Sequence, residues 1–183
     1  MPSTSEQRNV TIVVISGIPG SGKTTLARAV AQEMTLPMIS KDTIKEALMD
    51  GLGTGDLEWT TMLGRTAHLV MFSLVREIPG DVIIEAHFKC GVSEPDLQAL
   101  GRPLVQIYCS CPVELAWERY QERRDDAARH PGHLPEHQDE AATAGWRNAE
   151  PRPLDLEAPL IVVDTSREVD VAAVALQVRR ART

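Results

Sequence analysis

The tightest constraint on this chain is an apolar run that breaks into glycine. Val10–Ser16 reads VTIVVIS, the continuous β-branched pattern of a strand buried on both faces. It passes directly into Gly17-Ile18-Pro19-Gly20-Ser21-Gly22-Lys23-Thr24-Thr25, and Lys23–Met34 continues in good helix formers. A strand, a G-x-x-x-x-G-K-[ST] loop and a helix in that order make a phosphate-binding unit. Glycine allows the backbone angles that turn successive N–H groups inward around phosphate oxygens, and the helix start adds the positive end of its dipole. Gly17, Pro19, Gly20, Ser21, Gly22, Lys23, Thr24 and Thr25 are therefore the candidate cofactor-binding residues for a nucleoside triphosphate, ATP or GTP. Lys23 is placed to reach the β- and γ-oxygens, and the Thr24 hydroxyl to ligate Mg²⁺.

The remaining sequence alternates in the same way. Pro37–Ser40 is a short strand, Asp42–Asp50 a helix capped by Ser40 or Asp42, and Gly51–Gly55 a flexible loop. Leu63, Ala67, Val70, Met71, Leu74 and Val75 carry a helical period through Leu57–Ile78, which Pro79-Gly80 ends. Asp81–Ala86 and Leu104–Cys109 are further buried strands, and Pro112 opens a charged helix through about Ala128. Pro131, Pro135, Pro151, Pro153 and Pro159 predict a loop-rich segment with one short helix near Asp139–Trp146. Leu160–Asp164 is the fifth strand and Val169–Arg180 the closing helix. The pattern predicts one three-layer α/β domain over residues 1–183, a parallel sheet covered on both sides, with no repeat and no linker.

Composition narrows the partners. With 19 basic and 26 acidic residues the net charge is −7, so no nucleic acid or anionic membrane is expected to bind through general electrostatics. Cys90, Cys109 and Cys111 contain no CxxC pair; Cys109 and Cys111 read as small buried hydrophobes in a reducing compartment. No apolar run approaches the ~20 residues of a membrane span, and Met1–Asn9 has no signal-like core. A cytoplasmic protein is expected. His130, His133 and His137 have metal-like spacing, but Pro131 and Pro135 interrupt them and no cysteine is near, so zinc is not expected.

A phosphate loop alone does not separate ATPases, GTPases and kinases. No N-K-x-D motif is present, which counts against a GTPase, and the length leaves no second domain for an energy-transducing ATPase to drive. A kinase needs further groups at the carboxyl ends of the neighbouring strands. Asp42, after the second strand, is the candidate catalytic base. Lys45 shares its helix face and is a candidate substrate-binding cation, the alternative being an exposed surface charge. Glu85 ends the third strand as a Walker B-like carboxylate, for a Mg²⁺ water or the acceptor, and His87 points to the same side. Arg119 and Arg123 are four apart on a charged helix and, with Arg124, enter a Gly/Pro/His segment; together they read as the catalytic arginines of a lid over about 119–137.

The motifs GIPGSGKTT (17–25), ISKDTIK (39–45), VIIEAHF (82–88) and CPVELAWERYQERR (111–124) resemble, in order, the P-loop predicted-kinase group. That group includes the kinase domain of phage polynucleotide kinase, zeta toxins, chloramphenicol phosphotransferase and gluconate kinase. The resemblance implies a five-stranded parallel sheet of order 2-3-1-4-5, with Asp42 on the catalytic aspartate and Arg119 and Arg123 on the two lid arginines. It implies a purine pocket near Asp164-Thr165-Ser166, which makes Thr165 a nucleotide-binding candidate, and a lid tip at 129–133. Lys45 falls where the polynucleotide-kinase motif has arginine.

The expected activity is Mg²⁺-dependent transfer of a γ-phosphate from ATP or GTP to a hydroxyl of a small molecule. Arginine far outnumbers lysine, weakly suggesting a GC-rich genome, and an antibiotic-inactivating self-resistance kinase is the favoured form. A metabolic sugar or nucleoside kinase is the close alternative. A nucleotide-dependent ATPase or switch without a small acceptor is the alternative of another class. A polynucleotide 5′-kinase is disfavoured by the charge and by Lys45.

Overall fold

The structure, a computed structural model, describes residues 10–124, 129–132 and 151–182. The expected helix near Asp139–Trp146, His133, His137 and the chain start Met1–Asn9 lie outside these residues, as does 125–128 of the lid. In chain order the elements are β1 (Ile12–Ser16), α1 (Lys23–Met34), β2 (Met38–Ser40), α2 (Lys41–Leu52), α3 (Leu57–Glu77), β3 (Val82–Glu85), α4 (Glu94–Gln98), β4 (Leu104–Ser110), α5 (Val113–Arg124), β5 (Leu160–Asp164) and α6 (Val171–Ala181).

The five strands form one parallel sheet in the order β2-β3-β1-β4-β5, as the motif resemblance implies. Alternation along β1 divides the core between the two faces. Val13 and Ile15 pack with Leu26, Ala27 and Val30 of α1 and Val174 and Val178 of α6. Ile12 and Val14 pack with Met71, Phe72 and Val75 of α3 and with Leu97 of α4. All five β1 residues are buried, which is why this strand reads as an unbroken apolar run. The register sets Ile15 beside Glu85 and Glu85 beside Ser40. The carboxyl ends of β1, β3 and β2 thus meet at one edge.

Several elements depart from the sequence expectation. α2 runs through Gly51 and Leu52 and stops at Gly53, whose φ of 86° needs glycine. Asp56 caps α3, accepting a hydrogen bond from the Trp59 N–H at 2.9 Å. The helix α4 was not expected; five residues are too few for a helical period to show. β5 is an edge strand with one open face, Leu160 and Val162 being exposed, although its sequence is as apolar as that of the buried strands. Among the described residues no helix is long and apolar enough to cross a membrane.

Two polar side chains hold the loops below the site. The Arg102 guanidinium donates to the carbonyls of Val10, Val75, Ile78 and Gly80 at 2.7–3.3 Å, which caps the end of α3 and fixes the entry to β1. Glu94, buried, accepts from the Gly91 N–H at 2.9 Å and the Asp155 N–H at 3.1 Å, and so ties α4 to the segment leading into β5. Burial alone would raise the Glu94 pKa, but these N–H donors outweigh it and bring it down to about 2. A depressed carboxylate pKa stabilises the fold above its unfolded value and loses that contribution as pH falls through the folded one. Glu94→Gln is expected to cost about 1–3 kcal/mol at neutral pH. The melting-temperature gap to the wild type should close as pH falls from about 4.5 toward 2. A gap that stayed constant across that range would mean the charge is not what holds the clamp.

Candidate active site

The phosphate loop takes the conformation its glycines permit. Gly22 is the N-cap of α1 in the left-handed region (φ 78°). Gly20 has φ 81°, and a methyl there would run into the Ala116 carbonyl of α5, so the loop lies directly on the root of that helix. Ile18 packs with Cys111 and Ala116 in the same contact. No acidic residue lies in the first turn of α1, so the helix itself carries no charge that opposes an anion at its N-terminus. Ser21 and Lys23 are buried, Pro19, Gly22 and Thr24 half-buried and Thr25 exposed.

Glu85 organises the floor of the cleft. Its side chain is 1% exposed. One oxygen accepts from the Thr24 hydroxyl at 3.1 Å and lies 3.9 Å from the Lys23 ammonium; the other accepts from the Ser40 hydroxyl at 2.8 Å. A buried carboxylate survives only with such partners. Thr24 and Glu85 are hard oxygen donors of the kind Mg²⁺ takes, and with Lys23 they fit a Mg²⁺-bound triphosphate. Ser40 occupies the N-cap of α2 but makes no side-chain cap bond; its hydroxyl goes to Glu85 instead. The sequence offered Ser40 only as a helix cap and gave no sign of this contact.

Asp42 stands in the first turn of α2 with its side chain 53% exposed, 3.0 Å from the Lys41 ammonium. Lys41 is a further cleft cation that sequence reasoning passed over. Lys45 is buried, so it is not the surface charge that was its alternative reading. Burial first, and then Lys41, lowers its pKa. The His87 residue keeps an exposed surface beside the cleft; partial desolvation and then the positive charges of Lys23, Lys89 and Lys41 hold its pKa below the usual imidazole range. Lys23, Thr24, Ser40, Asp42, Glu85 and His87 therefore share one edge of the sheet.

The arginines lie on the opposite side of the loop. Arg119 donates to the Thr165 carbonyl at 2.9 Å and to that of Ser166 at 3.5 Å, while exposed Arg123 donates to the Arg119 carbonyl at 3.2 Å. Thr165 is buried, bonds to the Ser110 carbonyl through both its N–H and its hydroxyl, and faces Gly22. Of the expected lid tip, residues 129–132 reach α2: His130 Nε2 is 3.0 Å from an Asp50 carboxylate oxygen and Gly132 abuts Met49. All three cysteines are free; burial pushes the Cys109 thiol up to about 12 and raises that of Cys111, so both behave as inert core residues.

Glu85→Gln tests the floor. The amide keeps the volume but loses the charge, and the expected result is Mg²⁺ affinity about 10–100-fold weaker, read by titrating Mg²⁺ into the nucleotide-bound protein. Nucleotide binding without Mg²⁺ should hardly change. An unaltered Mg²⁺ titration would remove Glu85 from the metal site.

Three comparisons bear on this geometry. A family model described as an AAA domain matches residues 12–148. The crystal structure of a candidate kinase from Chloroflexus aurantiacus superposes with a TM-score of 0.86 at 32% identity, covering 94% of this chain and 98% of that one. A cytidylate kinase of Ignicoccus hospitalis is 31% identical over 118 residues, 62% of this chain and 65% of that protein. That of Pyrobaculum neutrophilum is 34% identical over 88 residues, 46% of this chain and 48% of its own. The chain thus matches less than two thirds of the length of these curated relatives. The AAA domain match over most of the chain, the likeness to the Chloroflexus aurantiacus candidate kinase, the phosphate loop and the strand order agree, and this chain belongs to the P-loop kinase family.

Proposed function

We propose that this protein is a Mg²⁺-dependent phosphotransferase that moves the γ-phosphate of ATP or GTP to a hydroxyl of a small molecule. The observation that carries this reading is the placement of Asp42. It is an exposed carboxylate in the first turn of α2, two residues beyond Ser40, whose hydroxyl donates to Glu85 at the end of β3, the carboxylate that also accepts from Thr24 beside the phosphate loop. A hydroxyl acceptor must shed a proton as its oxygen attacks, and Asp42 is the group to take it. Lys23 and the α1 N-terminus neutralise charge on the transferring phosphoryl group, and Thr24 and Glu85 would hold Mg²⁺, which would supply further neutralisation of the phosphate charge. Thr165 borders the nucleotide. Arg119 and Arg123 are the lid arginines of this reading, and Lys45 and His87 contact the acceptor.

A second reading is transfer to a phosphate. The buried Lys45 and its neighbour Lys41 favour it, and the similar proteins of Ignicoccus hospitalis and Pyrobaculum neutrophilum are named cytidylate kinases. One experiment separates the two. The protein is incubated with Mg²⁺ and ATP or GTP, with a panel of hydroxyl-bearing metabolites and antibiotics beside the nucleoside monophosphates, and ADP or GDP release is recorded. Phosphorus NMR of the product shows a phosphomonoester for a hydroxyl acceptor and a phosphoanhydride for a phosphate acceptor. Slow acceptor-independent release that no compound accelerates would instead support an ATPase or switch. Acceleration by an antibiotic but by no metabolite would support a self-resistance role.

A further inference from the structure

Beside the cleft lies a cavity of about 580 Å³ between α3, the loop after β3 and α4, within the range of small-molecule sites. Resting on the phosphotransferase reading above, we propose that this cavity holds the body of the acceptor and takes a flat, ring-bearing small molecule that carries a carboxylate or phosphate.

Its floor is aromatic. Phe72 and Phe88 are buried at 6% and 5% exposure, and the His68 ring lies between them, 6.1 and 6.0 Å from their centroids. Burial and the charge of Lys41 lower the His68 pKa, which keeps this ring uncharged and suited to stacking. At the mouth Leu69 and Val92 are 68% and 67% exposed, large apolar side chains placed around a concavity. A small polyol would leave Leu69 and Val92 wet, whereas the apolar face of a ring covers them.

The rim is cationic in a chain of net charge −7. Arg65, Arg76 and Lys89 line the cavity against the single carboxylate of Asp96, and none of the three cations is ion-paired to another described residue. Arg65 and Arg76 are eleven positions apart on α3, roughly 16 Å along the helix axis, so an anionic group meets a guanidinium at either end. The same charges repel an amine-bearing acceptor. The cavity opens onto the chemistry through His87, which lines it and follows Glu85 by two residues at the carboxyl end of β3.

The test measures binding by calorimetry to the whole protein with Mg²⁺ and a non-hydrolysable triphosphate analogue. The probes are 4-hydroxybenzoate, phenyl phosphate, neutral 4-hydroxybenzyl alcohol and cationic 4-hydroxybenzylamine. The two anions are expected to bind about tenfold more tightly than the other two, the anionic group pairing with one guanidinium in the field of the remaining rim cations. Their relative affinity tells carboxylate from phosphate. Combining Arg65→Gln with Arg76→Gln, both exposed positions, should collapse the preference to about threefold or less, and Val92→Glu at the mouth should weaken both anions. Equal or tighter binding of the neutral or cationic probe overturns the proposal. So does displacement of the anions by the triphosphate analogue, since that would place them on the phosphate loop. In either case a bound analogue and acceptor-dependent turnover leave the phosphotransferase reading standing, whereas the absence of that turnover removes it.

Discussion

Lys23→Ala is expected to lower phosphoryl transfer by about 10³–10⁵-fold, the range seen when a cation is withdrawn from a transferring phosphoryl group. The ammonium sits buried in the loop, 3.9 Å from Glu85. The loop conformation does not depend on it, because Gly20 and Gly22 set the turn and Ser21 N–H bonds to the Ile18 carbonyl at 3.1 Å. Glu85 keeps its hydrogen bonds from Thr24 and Ser40, so the carboxylate left behind is still partnered and the melting temperature should drop only modestly. Turnover and thermal unfolding on the same preparation check both halves. A folded Lys23→Ala protein with near-wild-type turnover would end the kinase reading.

Asp42→Asn is expected to cost about 10²–10⁴-fold in turnover, the usual effect of removing a general base. The substitution preserves size and most hydrogen-bonding capacity, but an amide cannot take the acceptor's proton. Because Asp42 is more than half exposed, its loss should not disturb packing, and removing a first-turn carboxylate costs α2 only about 0.3–1 kcal/mol of helix-dipole interaction. Nucleotide affinity should hold, since the carboxylate belongs to α2 and not to the phosphate loop. The outcome that sinks the assignment is a stable enzyme of unchanged turnover, and Glu85 would then inherit the role.

How much of this was legible in the residues depended on the range of the contacts involved. β1, the glycine loop and α1 could be read to the residue at Lys23 and Met34, since each is a local pattern whose cause lies within a few positions. Glu85 was legible as a carboxylate at the end of an apolar run, a buried charge that burial alone cannot explain. Its hydrogen bond from Ser40 was not, because it exists only where β2 pairs with β3, and a serine before a helix looks the same whether it caps or not. The burial of Lys45 was equally hidden, for the residues that cover it lie elsewhere in sequence. Arg119 pairs with carbonyls of the loop after β5, which no spacing within α5 reveals. The aromatic cavity escaped because His68 and Phe72 sit on α3 and Phe88 follows β3, and only the fold brings their rings together.

The close approach of Gly20 to Ala116 bears on how the enzyme can move. With the loop seated on the first turn of α5 and Arg119 anchored one turn later to the carbonyls behind β5, the base of that helix is part of the same rigid block as the nucleotide site. On the proposed lid reading, Arg119 must exchange these carbonyls for phosphate oxygens before it can follow the lid. The root of the helix thus acts as a fulcrum, and a bulkier residue at position 20 would tilt the lever as well as spoil the cradle. Slow opening and weak nucleotide retention should then appear together as one defect rather than as two.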